Sequence, residues 1–221
     1  MRNTHIPVPC VRLALGFALC MSLSVGVPAA NAQGARNLWS IQLHGGSFAP
    51  LEANGMSPML GMRYCKHYSP YLQAGLLTGW TFNTRRLMAP AAGPEGSGSD
   101  VELARVDARL VPVMAFLQIN FTEKLFLVPL AGIGAGYEWL LVDSQDHRTG
   151  QESSTYYGSP AWEAYGGVAV PVSRGVRLNG ELFYNGGSLE RTVPGPSGGT
   201  WREAVHVNGV GLRLGLDMVF E

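Results

Sequence analysis

Charge is scarce in this sequence. Only 14% of its 221 residues are Asp, Glu, Lys or Arg, and the formal net charge is zero. Without a basic excess, a zinc-finger spacing or a basic helix, nucleic-acid binding has no support. Cysteine is nearly absent, at three residues. Two of them, Cys10 and Cys20, fall in an N-terminal segment that reads as removed, and Cys65 alone cannot form an internal disulfide. Metal-ligand spacing is missing as well. His44, His67, His147 and His206 are scattered, and "DSQDHRTGQE" (143–152) does not match a calcium loop. Cofactor fingerprints are absent too. "GIGAG" (132–136) lacks the third Gly of a dinucleotide turn, and "GPEGSGS" (93–99) lacks the Lys-Ser/Thr of a phosphate loop. No cofactor, metal ligand or catalytic residue is therefore expected. Helical character is the last absence. Gly at 29 and Pro at 14 make up roughly a fifth of the chain.

The chain opens with a targeting signal. Arg2 and Arg12 precede an apolar run from Leu13 to about Val27, and Ala30-Asn31-Ala32 follows as a small-residue cleavage site. That order reads as a secretory signal peptide over residues 1–32, leaving a single domain over 33–221. Removal takes two basic residues and no acids, so the remaining chain has 14 basic and 16 acidic residues and a formal charge of −2.

One later segment is long enough to suggest a membrane helix, "LFLVPLAGIGAGYEWLLV" (125–142). It contains Pro129, three Gly and Glu138, and glycine costs about 1 kcal/mol and proline about 3 kcal/mol in a helix. Period two fits better. Leu127, Ala131, Ile133, Ala135, Tyr137 and Trp139 share one face, with Val128, Gly132, Gly134, Gly136 and Glu138 on the other. The same alternation runs through 37–45, 58–65, 71–82, 161–172, 176–185 and the terminal "GVGLRLGLDMVFE", and less regularly through 101–121. That makes eight strands.

The connections alternate in length. "KHYSP", "TEK" and "SRG" are short. The segments 46–57, 83–100, 143–160 and 186–203 are long, polar and rich in Gly, Pro and Ser. Short turns at one end and large loops at the other characterise transmembrane β-barrels. A bilayer offers no water to backbone groups, so strands cross it only as a closed barrel. The apolar face then meets lipid and the small or charged face fills the interior. The aromatics form two girdles. Trp39, Tyr64, Tyr71, Phe121 and Phe220 lie near the turn end. Trp80, Phe82, Tyr137, Trp139, Trp162 and Tyr184 lie near the loop end. The expected fold is all-β, an eight-stranded antiparallel up-and-down transmembrane β-barrel preceded by a cleaved signal peptide.

Signal peptide, eight alternating strands and an aromatic-ended last strand together resemble the small outer-membrane β-barrel proteins, the OmpA/OmpX-like group. The resemblance covers essentially all of residues 33–221. It implies residence in the cell outer membrane of a Gram-negative-type bacterium, with lipid and lipopolysaccharide as surroundings. It also implies a monomer whose last strand is recognised by the outer-membrane assembly machinery. In that group Phe ends the chain, whereas here Glu221 follows Phe220.

Three functional readings remain open. The first is a structural or surface-interaction protein. Arg85, Arg86, Asp146, His147, Arg191, Trp201 and Arg202 in its loops would meet ligands or lipopolysaccharide phosphates. The second is a barrel enzyme acting on outer-membrane lipid, similar to the lipid A deacylases. "FYNGGSLE" (183–190) carries Ser188, but Gly186 stands where such an enzyme has its His. The third is a small-solute pore, disfavoured by bulky inward Arg, Tyr and Glu. Inside the barrel one register stands out. Arg177 with Asp217, and Glu181 with Arg213, share one index sum, so a single antiparallel register pairs both. It also sets Phe183 against Gly211 and centres the hairpin on residue 197.

Overall fold

The computed structural model describes residues 38–51, 55–89, 101–121, 126–173, 175–194 and 199–220. The signal peptide expected over 1–32, and the turn "TEK", lie outside the described residues. Among the described residues the elements are β1 (Leu38–Pro50), β2 (Ser57–His67), β3 (Leu72–Ala89), β4 (Val101–Asn120), β5 (Val128–Asp146), β6 (Gln151–Ser173), β7 (Val176–Pro194), β8 (Thr200–His206) and β9 (Gly209–Phe220). Each pairs antiparallel with its neighbours, and β9 returns to pair with β1, so the sheet closes into a ring. β8 and β9 are two halves of one ring position. Both pair with β7 in one continuous register, interrupted at Val207 and Asn208. The result is an eight-stranded up-and-down barrel.

The stagger of the ring follows from the pairings. A path from Trp39 through Lys66, Ala74, Leu117, Ile133, Ala164, Tyr184 and Val210 comes back to β1 at Ala49, ten residues further along. Eight strands sheared in this way tilt by about 40° and enclose an interior that side chains can fill.

Burial follows the two-residue period. In the turn-end half the outer face is apolar and open, with Leu60, Leu117, Ile133, Leu182, Leu212 and Leu214 all exposed. The inner face is polar and buried, with Gln42, Arg63, Gln118, Glu163, Glu181 and Arg213. Towards the loop end the polarity inverts. Leu110, Leu140, Tyr157, Leu189 and Val207 are buried inside, while Thr84, Arg109, Glu152, Ser154 and Arg202 are exposed outside. A strand in lipid turns its apolar face outward, and a strand in water turns it inward. The inversion therefore marks where the bilayer stops.

The same inversion corrects the long loops. Where they are described, the segments 83–100, 143–160 and 186–203 are largely strand: β3 runs to Ala89, β5 to Asp146, β6 starts at Gln151, β7 runs to Pro194 and β8 starts at Thr200. Between β5 and β6 only a four-residue turn is left, 147–150. The Gly150 N–H donates to the Asp146 carbonyl at 2.8 Å, and Gly150 takes φ 67°, which favours glycine. The Asp146 carboxylate accepts the Arg148 N–H at 2.8 Å, which holds its pKa below the ordinary value. A membrane-spanning strand needs about 9–11 residues. At 18 to 23 residues, β3 to β7 are nearly twice that and project well beyond the bilayer.

The girdles stand at the two boundaries. Trp39 stacks on Tyr64 at 5.2 Å with Lys66 over the Trp39 ring, and Trp162 packs on Tyr184 at 5.5 Å.

Candidate functional site

The interior is closed by a layer of four charges. Arg63 rises from β2, Glu163 from β6, Glu181 from β7 and Arg213 from β9, with relative exposures of 0, 5, 1 and 1%. Arg213 donates from Nε to Glu181 Oε2 at 2.6 Å. Its two terminal nitrogens donate to both oxygens of Glu163, at 2.9 and 2.7 Å. Arg63 donates from Nη1 to Glu181 Oε1 at 2.8 Å and to Gln42 Oε1 at 3.3 Å. Its Nη2 stands 3.7 Å from Glu163. Two cations and two anions cancel, and Arg213 meets Glu163 as a bidentate fork, while Arg63 Nε and Nη2 have no hydrogen-bond partner. Aromatic rings frame the layer. Tyr165 lies under both guanidinium groups, at 4.2 Å from Arg63 and 4.9 Å from Arg213, with Phe116 and Phe183 alongside.

Of the four residues singled out in the sequence, the ladder sets Glu181 opposite Arg213 and Arg177 opposite Asp217. Arg177 Nη2 lies 2.7 Å from Asp217 Oδ2, nearer the turn end and partly exposed. Phe183 covers Gly211, where a Cβ would collide with the ring. Arg63 and Glu163 were missed as partners. Index sums relate only adjacent strands, whereas Glu163 on β6 meets Arg213 on β9, and Arg63 on β2 meets Glu181 on β7, across strands that do not pair. Their inward parity was the only available signal.

Polar groups continue on both sides of this layer. Towards the turn end, the Ser40 hydroxyl lies 3.0 Å from Cys65 Sγ and 3.1 Å from His67 Nε2. Towards the loop end, Asn185 donates to the buried Glu138 carboxylate at 3.2 Å. A cavity of about 30 Å³ lies beside His44, Glu138, Glu163, Asn185 and Arg213 and reaches Gly79, Trp80 and Pro112 in the wall. There the β3–β4 pairing skips from Thr78–Val113 to Thr81–Leu110. Pro112 has no N–H to give the ladder.

The loop-end residues do not converge on one site. Arg86 and His147 both approach Glu102, at 3.9 and 3.7 Å. Arg191 pairs with Glu203, and Arg202 with Glu190. Trp201 is exposed, and Arg85 is engaged with other groups. The ladder places His206 directly opposite Ser188, a base that sequence spacing did not reveal. No hydrogen bond joins the two side chains. Among the described residues no three His, Cys, Asp or Glu side chains come together as a metal site requires.

A closed ring with an apolar outer belt, two aromatic girdles and a filled polar interior defines a membrane-spanning β-barrel. No protein-family model and no curated protein matches the chain. Solved structures do. OprG, an outer membrane protein from Pseudomonas aeruginosa, is 15% identical with a TM-score of 0.57, over 85% of this chain and 97% of that one. Neisserial surface protein A is 13% identical with a TM-score of 0.53, over 85% of this chain and all of that one. A major outer membrane protein from Thermus thermophilus is 15% identical with a TM-score of 0.54, over 83% of this chain and 98% of that one. The chain has the fold of these small outer-membrane β-barrels.

Proposed function

We propose that the chain is exported, loses residues 1–32 and resides in the outer membrane of a Gram-negative-type bacterium as a non-catalytic barrel. Its work is done by the polar protrusion that it presents at the surface. Lipid and lipopolysaccharide surround the belt, and the last strand delivers the chain to the outer-membrane assembly machinery. One observation carries this reading. The Arg63–Glu163–Glu181–Arg213 layer sets four buried, mutually paired charges across the interior. That leaves the loop-end surface as the part open to partners. Planar-bilayer recording on the purified protein tests it, with no conductance above leak expected. A steady conductance would point to an axial pore instead.

A second reading is favoured by the interrupted ladder at Pro112. The cavity beside Arg213 is lined by Gly79, Trp80 and Pro112 at that interruption, which supports a weak point in the wall for sideways passage of a small solute from the interior into the bilayer. Pro112→Val, which supplies a backbone donor, would slow such uptake in cells.

A further inference from the structure

We infer that the cavity beside Glu138 is a binding site for one small monovalent cation of sodium size. This goes beyond the surface role above and does not depend on it.

The site begins with a charge left over. Inside the belt Arg63 and Arg213 balance Glu163 and Glu181, and Arg177 balances Asp217. Glu138 comes in addition, and it is 1% exposed. Among the described residues no cation pairs with it. Its carboxylate accepts one hydrogen bond, from the neutral amide of Asn185 at 3.2 Å. A buried carboxylate without a counter-charge is costly. The interior around Glu138 is therefore short of one positive charge.

Space adjoins that charge. Glu138, His44, Asn185 and Arg213 all line the cavity of about 30 Å³. About 10–15 Å³ is enough for one water, so a small ion fits as well. His44 is 5% exposed, and its Nδ1 has no hydrogen-bond partner. Its Nε2 is turned to Gly61, where it takes the place that a Cβ would need. That leaves Nδ1 as the nitrogen for a ligand.

The wall adds acceptors. Glu138 stands directly beside Pro112 on the β4–β5 ladder. On the other side of Pro112, the β3–β4 register is the same before and after the interruption. Gly79 thus faces Pro112, and Trp80 faces Val111, without ladder pairing. Pro112 brings a carbonyl and no N–H, so acceptors outnumber donors in this stretch. Inside a bilayer a leftover carbonyl has no water to turn to. A cation in the adjoining cavity satisfies it, whereas an anion does not.

Charge and donor type set the class of ion. One missing charge calls for a monovalent ion. The donors are one carboxylate, backbone carbonyls and a single imidazole, and among the described residues no three His, Cys, Asp or Glu side chains gather as a transition metal requires. Oxygen-rich lining suits a hard cation. Arg213 reaches the same cavity, but its Nε and both terminal nitrogens are engaged with Glu181 and Glu163. Its charge balances those two carboxylates and not Glu138.

Heating the purified protein in detergent tests the site. Loss of the folded band on an unboiled gel is followed in sodium chloride and in N-methylglucamine chloride at equal ionic strength, the organic cation being too large for the cavity. Sodium should raise the melting temperature of the wild-type chain saturably, by about 4 °C or more. Glu138→Gln keeps the shape and removes the charge, and its melting temperature should not respond to sodium. No sodium effect on the wild-type chain, or an equal effect on both, overturns the site. Equilibrium dialysis of the wild-type chain against radioactive sodium gives a measurement that needs no variant. About one ion per chain is expected at saturation, and no bound sodium overturns the proposal. A wild-type melting temperature that ignores sodium and falls as pH rises assigns the missing charge to a proton on Glu138, and overturns it too.

Discussion

Glu181 accepts from two guanidinium groups at once, and that makes it the residue on which the interior is most sensitive. Glu181→Gln leaves Arg63 and Arg213 against Glu163 alone, an uncompensated positive charge in a buried layer. Breaking a buried pair in this way costs about 3–5 kcal/mol. Glu181→Gln with Arg213→Gln leaves Arg63 facing Glu163, already 3.7 Å away, and should be the more stable variant by urea-induced unfolding in lipid. A double variant less stable than the single would show that the charges do not act as a neutral set. On the outer face the sign is reversed. Leu214 is exposed to lipid next to buried Arg213, so Leu214→Arg should cost about 2–4 kcal/mol if it lies near the midplane. An unchanged unfolding midpoint would mean that position 214 lies outside the bilayer.

At the scale of the strand, close approach explains where glycine is required. A Cβ on Gly75 would run into the Tyr64 carbonyl and the Cys65 Cα, both backbone atoms of β2 that have nowhere to go. A Cβ on Gly180 would meet only Leu214 Cδ2, at 3.5 Å. Gly75→Ala should therefore destabilise by about 1–3 kcal/mol, as overpacking does. Gly180→Ala should stay within about 0.5 kcal/mol. The two are compared by the temperature at which the folded band on an unboiled gel is lost, and equal shifts would contradict the pairing of β2 with β3. Strand existence was legible from alternation, and so was the β7–β9 register, because opposed charges on adjacent strands leave a numerical trace. Strand length was not. Where both faces of a strand meet polar surroundings or a small core, as at 143–157, the hydrophobic period fades and polar residues read as loop.

At the scale of the molecule, the inversion of polarity places the long strands of the loop end in water and the short turns at the opposite face. A tag inserted at Gly150 should be labelled on intact cells. A tag within 173–175 should stay protected until the outer membrane is breached. Labelling of the second tag on intact cells would reverse the orientation. The folded barrel should also migrate faster than the boiled chain, since closure by β9 against β1 keeps it compact in detergent.

Alternation and the placement of aromatics depend on neighbours two residues apart, so they are written into the chain locally. From them came the barrel, its lipid face and its girdles, while the pairing of Glu181 with Arg213 came from opposed charges on adjacent strands. The four-charge layer, the interrupted ladder at Pro112 and the His206 opposite Ser188 depend on which strands closure of the ring brings together. They also depend on the ten-residue stagger at which it does so. That stagger is a sum over eight registers, and no single segment of sequence carries it.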